Sequence, residues 1–157
     1  RGNHDYRVSL QRFSDTIAKS GIVNISNAIY TIQRDNNFLY VAGVDTVRNK
    51  QDRLDIVLKQ LPQQGAAILL SHEPDFADIS AKTGRFFLQL SGHSHGGQIN
   101  LPLLGSPLLP KLGKKYPKGF YIVDGMIQYT NRGIGTAYLQ LRYNCPSEIT
   151  VFTLKSA

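Results

Sequence analysis

Hydrophobic positions in this chain change period several times, and each change marks an element. Leu10, Phe13 and Ile17 recur at helical spacing, and Gly21 can end the helix they predict. "GIVNIS", "AIYTIQ" and "FLYVAGV" read as strands, with Asp35-Asn36-Asn37 as the turn between the last two. "KQDRLDIVLKQL" sets Leu54, Val57, Leu58 and Leu61 on one helical face, and Pro62 stops it. "AAILL" is a continuous apolar run, as a strand buried on both faces requires. "DFADISAKTG" predicts a short helix, and "RFFLQLSG" a strand that delivers the corner at His93. "GFYIVD" and "MIQYTN" pair as a hairpin through Asp124-Gly125, and the alternation of "EITVFTL" predicts a last strand. Helices and strands alternate first and strands dominate later, so the expected class is α/β with a layered sheet core flanked by helices.

Composition narrows the class without naming a function. A chain of 157 residues suits one domain with a sizeable core, and 41% hydrophobic with 18% charged residues is ordinary globular composition. No run of about 18 apolar residues is present, and no stretch reads as a signal peptide. Cys145 is the one cysteine, so neither an internal disulfide nor a thiolate metal site can form, and a small packed residue is expected there. The chain opens on Arg1, and a tight "GNHD" corner follows at once with no strand before it to aim it. The expectation is that residues 1–157 are the C-terminal portion of a single domain whose N-terminal strands lie upstream.

The candidate chemistry sits in "LSGHSHGGQ", which fits two incompatible templates. Gly92-His93-Ser94-His95-Gly96 matches the nucleophile elbow of serine hydrolases, with Ser94 as the nucleophile. That template needs a histidine after the serine and a helix directly behind it. No histidine follows His95, and "QINLPLLGSPLLP" has neither helical period nor freedom from proline. The second template is Gly-His-x-His, two imidazoles leaving one strand end to hold metal. All four histidines, His4, His72, His93 and His95, occupy tight polar corners at predicted strand ends, and Asn3 stands beside His4. A single histidine in such a place is usually an ordinary surface or core residue; four of four point to a shared site.

"GNHD", "SHEPD" and "GHSHGGQ", in that order, resemble the calcineurin-like metallophosphoesterase superfamily. The later "KYPKGFY", "RGIGT" and "LRYNCPSEITVFTL" resemble its membrane-associated phosphodiesterase branch, which includes enzymes acting on lipid-linked pyrophosphates such as UDP-diacylglucosamine. The resemblance implies a metallophosphoesterase-like layered sheet core and hydrolysis of phosphate ester or pyrophosphate bonds. Two divalent ions would activate a shared water and clamp the in-line transition state. Imidazole and oxygen ligands suit Mn, Fe or Zn. By the same resemblance, Asn3, His72 and His93 hold one metal and His95 goes to the other. His4 sits over the phosphoryl group, stabilises its charge and protonates the leaving oxygen. Ser94 becomes a small spacer, Gly96 and Gly97 let the backbone turn away, and Asp5 is either a brace for the first corner or an exposed carboxylate.

The chain departs from the family pattern in one large respect. The upstream Asp-x-His and Gly-Asp-x-x-Asp segments, which in the family supply the rest of the second metal's ligands and the carboxylate bridging both metals, are not in it. Asp45 and Asp52 follow the Asn3 corner and are out of order. The second metal site is therefore incomplete in this chain, and the chain alone is expected to be inactive.

Charge adds a question about substrate. The net charge is +7 and the pI about 9.6. In "LPLLGSPLLPKLGKKYPKG", Leu103, Leu104, Leu108 and Leu109 precede Lys111, Lys114 and Lys115. An apolar loop beside lysines suits an anionic membrane surface and a lipid-linked phosphorylated substrate. Leucines packed inward under a long loop are an equally good reading. The expected location is the cytoplasm or the periphery of the cytoplasmic membrane. A nuclease or nucleotide phosphodiesterase on the same scaffold is the alternative, but the lysines cluster with leucines and not in an aromatic-interleaved stripe, which argues against nucleic acid. A non-catalytic metal-binding fragment is the third reading.

Overall fold

A computed structural model describes residues 1–155 of the chain. One six-stranded sheet organises it: β1 (Ala28–Arg34), β2 (Asn37–Gly43), β3 (Ala66–Leu70), β4 (Leu88–Ser91), β5 (Gly119–Val123) and β6 (Met126–Thr130), in the spatial order β1-β2-β3-β4-β6-β5. The four central strands run parallel, and the hairpin partners β1 and β5 close the two edges antiparallel. Parallel strands send their C-terminal ends to one edge, where α/β sheets place their sites. Here that edge receives the corners after β2, β3, β4 and β6.

The helices follow from their sequences. α1 (Leu10–Ser20) starts at Ser9, whose hydroxyl accepts from the Arg12 amide, and ends at Gly21 with φ of 70°. α2 (Leu54–Gln60) begins at the first residue of its apolar stripe, and the preceding residues 47–50 form a turn instead of extending the helix. It buries Val57 and Leu61 against Leu69, Phe76, Ala77 and Met126 in the main core. The segment after His72 is a broken helix: a 3-10 turn Pro74–Phe76, α3 (Ala77–Ser80) and a second 3-10 turn Ala81–Thr83. The other face of the sheet carries a smaller cluster of Ile68, Leu88 and Tyr129, against which Phe152 packs.

Two predicted strands are not strands. Residues 21–26 form no ladder; the Asn24 side chain accepts from the Ser26 amide, and Ile25 closes a turn to Ala28. A side chain that satisfies a nearby amide competes with sheet pairing. Residues 148–154 keep the expected alternation but form no ladder among the described residues; only the Glu148 amide reaches another backbone, donating to the Gly133 carbonyl at 3.1 Å. Glu148, Thr150 and Phe152 face Tyr129, while Ile149 and Val151 are exposed. Period two set the side-chain faces correctly, but no strand of the sheet pairs with the segment.

Candidate metal centre

Each chemical corner leaves the sheet at the same edge. His72 lies just beyond β3 and His93 just beyond β4, neighbouring parallel strands. The Gly92 amide donates to the His72 carbonyl (3.2 Å), which ties the two corners together. Asn3 arrives from the N-terminal corner, where the Asp5 carboxylate accepts from the Gly2 amide at 2.9 Å; Asp5 braces that loop.

The backbone after β4 is forced into alternation. His93 and His95 have φ of 66° and 51°, while Ser94 between them is right-handed at −72°. Left-handed conformations are costly for residues with a Cβ and persist where the surroundings impose them. Both imidazoles line one cavity. Gly96 continues at φ 63°, and a Cβ there would stand 2.8 Å from Cys145 Sγ, so only glycine fits. Cys145 itself is a small buried residue, as its sequence context predicted. Ser94 is buried, its hydroxyl donating to the Pro117 carbonyl and accepting from the Gly96 amide at 3.1 Å. It is a structural spacer, not a nucleophile.

Three ligand-type atoms converge. His72 Nε2 lies 2.9 Å from Asn3 Oδ1 and 3.2 Å from His93 Nδ1. Ligands held about 2.0–2.2 Å from one ion stand roughly 3–3.5 Å apart, so this N, N, O set has the spacing of neighbours around a shared cation. His4 and His95 line the same cavity, of about 520 Å³. His95 Nδ1 is buried without a hydrogen-bond partner, as an imidazole awaiting a ligand would be.

Desolvation favours the neutral form of the His72 and His95 rings. Burial pushes His72 down to about 4, against the opposing pull of Glu73. Burial also lowers His95, with the Arg142 cation acting the same way. His4 is lowered by desolvation and then by the positive charges of Arg7, His93 and Arg48. A neutral ring keeps the lone pair that coordination needs. The residues therefore fit a divalent metal.

No family model matches the chain, and no solved structure matches it significantly. Curated proteins do. The chain is 36% identical over 157 residues to "Uncharacterized metallophosphoesterase YkuE" of Bacillus subtilis (strain 168), covering 99% of this chain and 54% of that protein. It is 31% identical to "Phosphodiesterase YaeI" of Escherichia coli (strain K12), covering 98% and 56%. An "Uncharacterized metallophosphoesterase" of Aquifex aeolicus (strain VF5) is 31% identical, covering 98% and 59%. The chain is homologous to metallophosphoesterases. It spans about half the length of these relatives.

Within that homology, the site holds residues that the sequence did not single out. Glu73 is fully buried, and a ligand atom of its carboxylate, with those of His72 and His93, lies in a group within 4.8 Å of one another. Its oxygens are already engaged: they accept from Thr46 Oγ1, the Val47 amide (3.0 Å) and the Arg48 amide (3.4 Å). Glu73 therefore holds the loop after β2. Asp75 does the same on the other side, accepting from the amides of Lys114, Lys115 and Tyr116. That loop presents the Lys111 carbonyl to His93 Nε2 at 2.9 Å. Both carboxylates were visible in "SHEPD", but partners about 25 to 40 residues away leave no local signal. Asp45 is no spare ligand either: its carboxylate takes Arg1 (2.8 Å), Tyr6 (2.9 Å) and the Thr46 amide (2.7 Å).

The leucine and lysine positions are mixed. Leu103 and Leu104 are 108% and 80% exposed at the tip of a turn closed by Leu101 and Gly105, so they do not cap the core. Leu108 lines the cavity, and Leu109 is half-buried. Lys111 and Lys114 are exposed, whereas Lys115 is paired with Asp78 at 2.6 Å. No helix among the described residues is long and apolar enough to cross a membrane.

Proposed function

We propose that this chain supplies one side of a dinuclear-metal centre that hydrolyses phosphate ester or pyrophosphate bonds. The observation that carries the reading is the convergence of Asn3 Oδ1, His72 Nε2 and His93 Nδ1 at one cavity wall, with His4 and His95 in the same cavity. Asn3, His72 and His93 hold one divalent ion, of Mn, Fe or Zn type, and His95 contributes to a second whose remaining ligands come from outside this chain. Bound divalent ions would supply Lewis acidity and an acidified water. His4 faces the cavity and hands a proton to the leaving oxygen; a lowered pKa makes its protonated form a stronger acid. His93 is oriented through Nε2, and Glu73 and Asp75 fix the loops on either side.

A lipid-linked substrate is the finer part of the proposal, and with it a place at the periphery of the cytoplasmic membrane. Exposed Leu103 and Leu104, followed in the chain by Lys111 and Lys114, whose ammonium groups have no partner among the described residues, support it, since apolar insertion and cationic attraction act together at an anionic surface. The test uses the full-length protein on a bis-aryl phosphodiester with added Mn. Turnover is expected to vanish on chelation and to fall by about 100-fold or more in His4→Ala and His95→Ala, the range of a general acid or a lost ligand. The 157-residue stretch alone is expected to do no better than metal in buffer. Chelator-resistant turnover would refute the metal mechanism, and full turnover by the stretch alone would refute the need for outside ligands.

A further inference from the structure

The cavity has two cationic lining residues that the metal reading does not use. Arg7 and Arg48 both line it. They come from separate segments, the 3-10 turn Asp5–Arg7 and the loop after β2. Their side chains make no hydrogen bond or ion pair among the described residues, unlike Arg1 and Arg142, which lie outside this lining. Arg1 is held by Asp45, and Arg142 by the carbonyls of His95, Arg132 and Gly135.

The backbones of the two free arginines are nonetheless fixed. The Arg7 amide donates to the His4 carbonyl at 3.0 Å, within the turn that Asp5 braces. The Arg48 amide donates to buried Glu73, whose carboxylate also binds Thr46 and Val47. An anchored backbone with an uncommitted guanidinium suits recognition of an oxyanion, because the planar fork matches two anionic oxygens at once and no partner in the fold has to be displaced. The positive field of both groups reaches the His4 ring. Leu108, Pro110 and Tyr138 line the same cavity, so its wall is cationic in one part and apolar in another.

We propose that Arg7 and Arg48 form an anion subsite that binds a second phosphate-type group of the substrate, next to the phosphoryl group held at the Asn3, His72 and His93 end. The proposal deepens the phosphoesterase reading and rests on it for the scissile group. It selects substrates with two neighbouring anionic groups, such as a diphosphate, over simple monoesters. Leu108 and Tyr138 would contact whatever apolar portion is attached.

Binding separates this proposal from the catalytic one. Metal-free full-length protein is titrated calorimetrically with inorganic pyrophosphate and, separately, with orthophosphate. Pyrophosphate is expected to bind about tenfold tighter, as one added charged hydrogen-bonding contact allows. Arg7→Gln and Arg48→Gln are each expected to weaken pyrophosphate binding about fivefold or more, narrowing its margin over orthophosphate. Arg34→Gln, an exposed arginine on β1 outside the cavity, is the control and is expected to bind as wild type does. Equal affinity for the two anions, unchanged affinity in both cavity variants, or an equal loss in Arg34→Gln overturns the subsite. Arginine-dependent pyrophosphate selectivity in a protein without metal-dependent turnover sustains the subsite and overturns only the hydrolytic reading.

Discussion

The Nε2 atom of His93 lies 2.9 Å from the carbonyl oxygen of Lys111. A carbonyl can only accept, so this contact places the ring proton on Nε2 and leaves Nδ1 with a free lone pair facing His72 and Asn3. Metal-binding histidines are commonly oriented in this way by the group behind them. The carbonyl is in turn positioned by Asp75, 36 residues earlier in the chain, which collects three amides of the following turn.

Asp75→Ala is therefore expected to weaken metal binding by about 10- to 100-fold without touching a ligand. Calorimetric titration with Zn measures the affinity. The ring Nε2–H resonance of His93 in the metal-free protein gives the second readout, since it should exchange faster with water when the loop is released. Unchanged affinity and an unchanged resonance would show that the loop holds its place without Asp75.

Glu73→Ala leaves Thr46, Val47 and Arg48 without their acceptor in a fully buried position. Hydrogen bonds to a charged group are each worth about 1.5–3 kcal/mol, so a loss of roughly 3 kcal/mol or more is expected. Glu73→Gln keeps one acceptor oxygen and should lose less. Urea unfolding of the metal-free protein decides between this and a purely metal-directed role, in which unfolding would hardly change.

Acid stability carries the sign of the histidine shifts. His72 sits at about 4 in the folded protein and near 6.5 when unfolded. Between those values the unfolded chain binds a proton that the native state excludes. Stability of the metal-free protein should thus be level above about 6.5 and fall as the pH drops from there towards about 4. His4 and His95 are lowered too and add to the same trend. Denaturant midpoints across this range measure the slope, and His72→Gln should flatten it. A slope that survives the substitution intact would assign the acid sensitivity to other groups.

Leu103→Ser with Leu104→Ser should leave folding stability within about 0.5 kcal/mol, because both side chains are already in solvent. If the loop meets a membrane, wild-type full-length protein will sediment with anionic vesicles, less with neutral ones, and less in high salt, where the screening length falls to about 3 Å. The double variant should be released into the supernatant. Equal sedimentation of a folded variant would remove the loop from the lipid reading.

By itself the sequence determined the elements whose cause is local. The stripe of Leu54, Val57, Leu58 and Leu61, the run Ala66–Leu70 and the Asp124-Gly125 turn each carry their own physical instruction: one-sided burial, two-sided burial and a backbone that reverses. It also named Asn3, His4, His72, His93 and His95 as one group, and the fold sets all five around one cavity. Tertiary structure decided everything that depends on a distant partner. Residues 148–154 alternate as a strand does, yet a ladder needs a neighbour and no strand of the sheet pairs with them. Leucines in a loop can turn in or out, and only packing sent Leu103 and Leu104 outward while Leu108 lined the cavity. Glu73, Asp75, Arg7 and Arg48 look alike as charges in a sequence. The fold alone buries one carboxylate under a loop, sets another beneath a turn, and brings two guanidinium groups without a partner among the described residues to the cavity lining, because charge gains its meaning from what lies within a few ångströms of it.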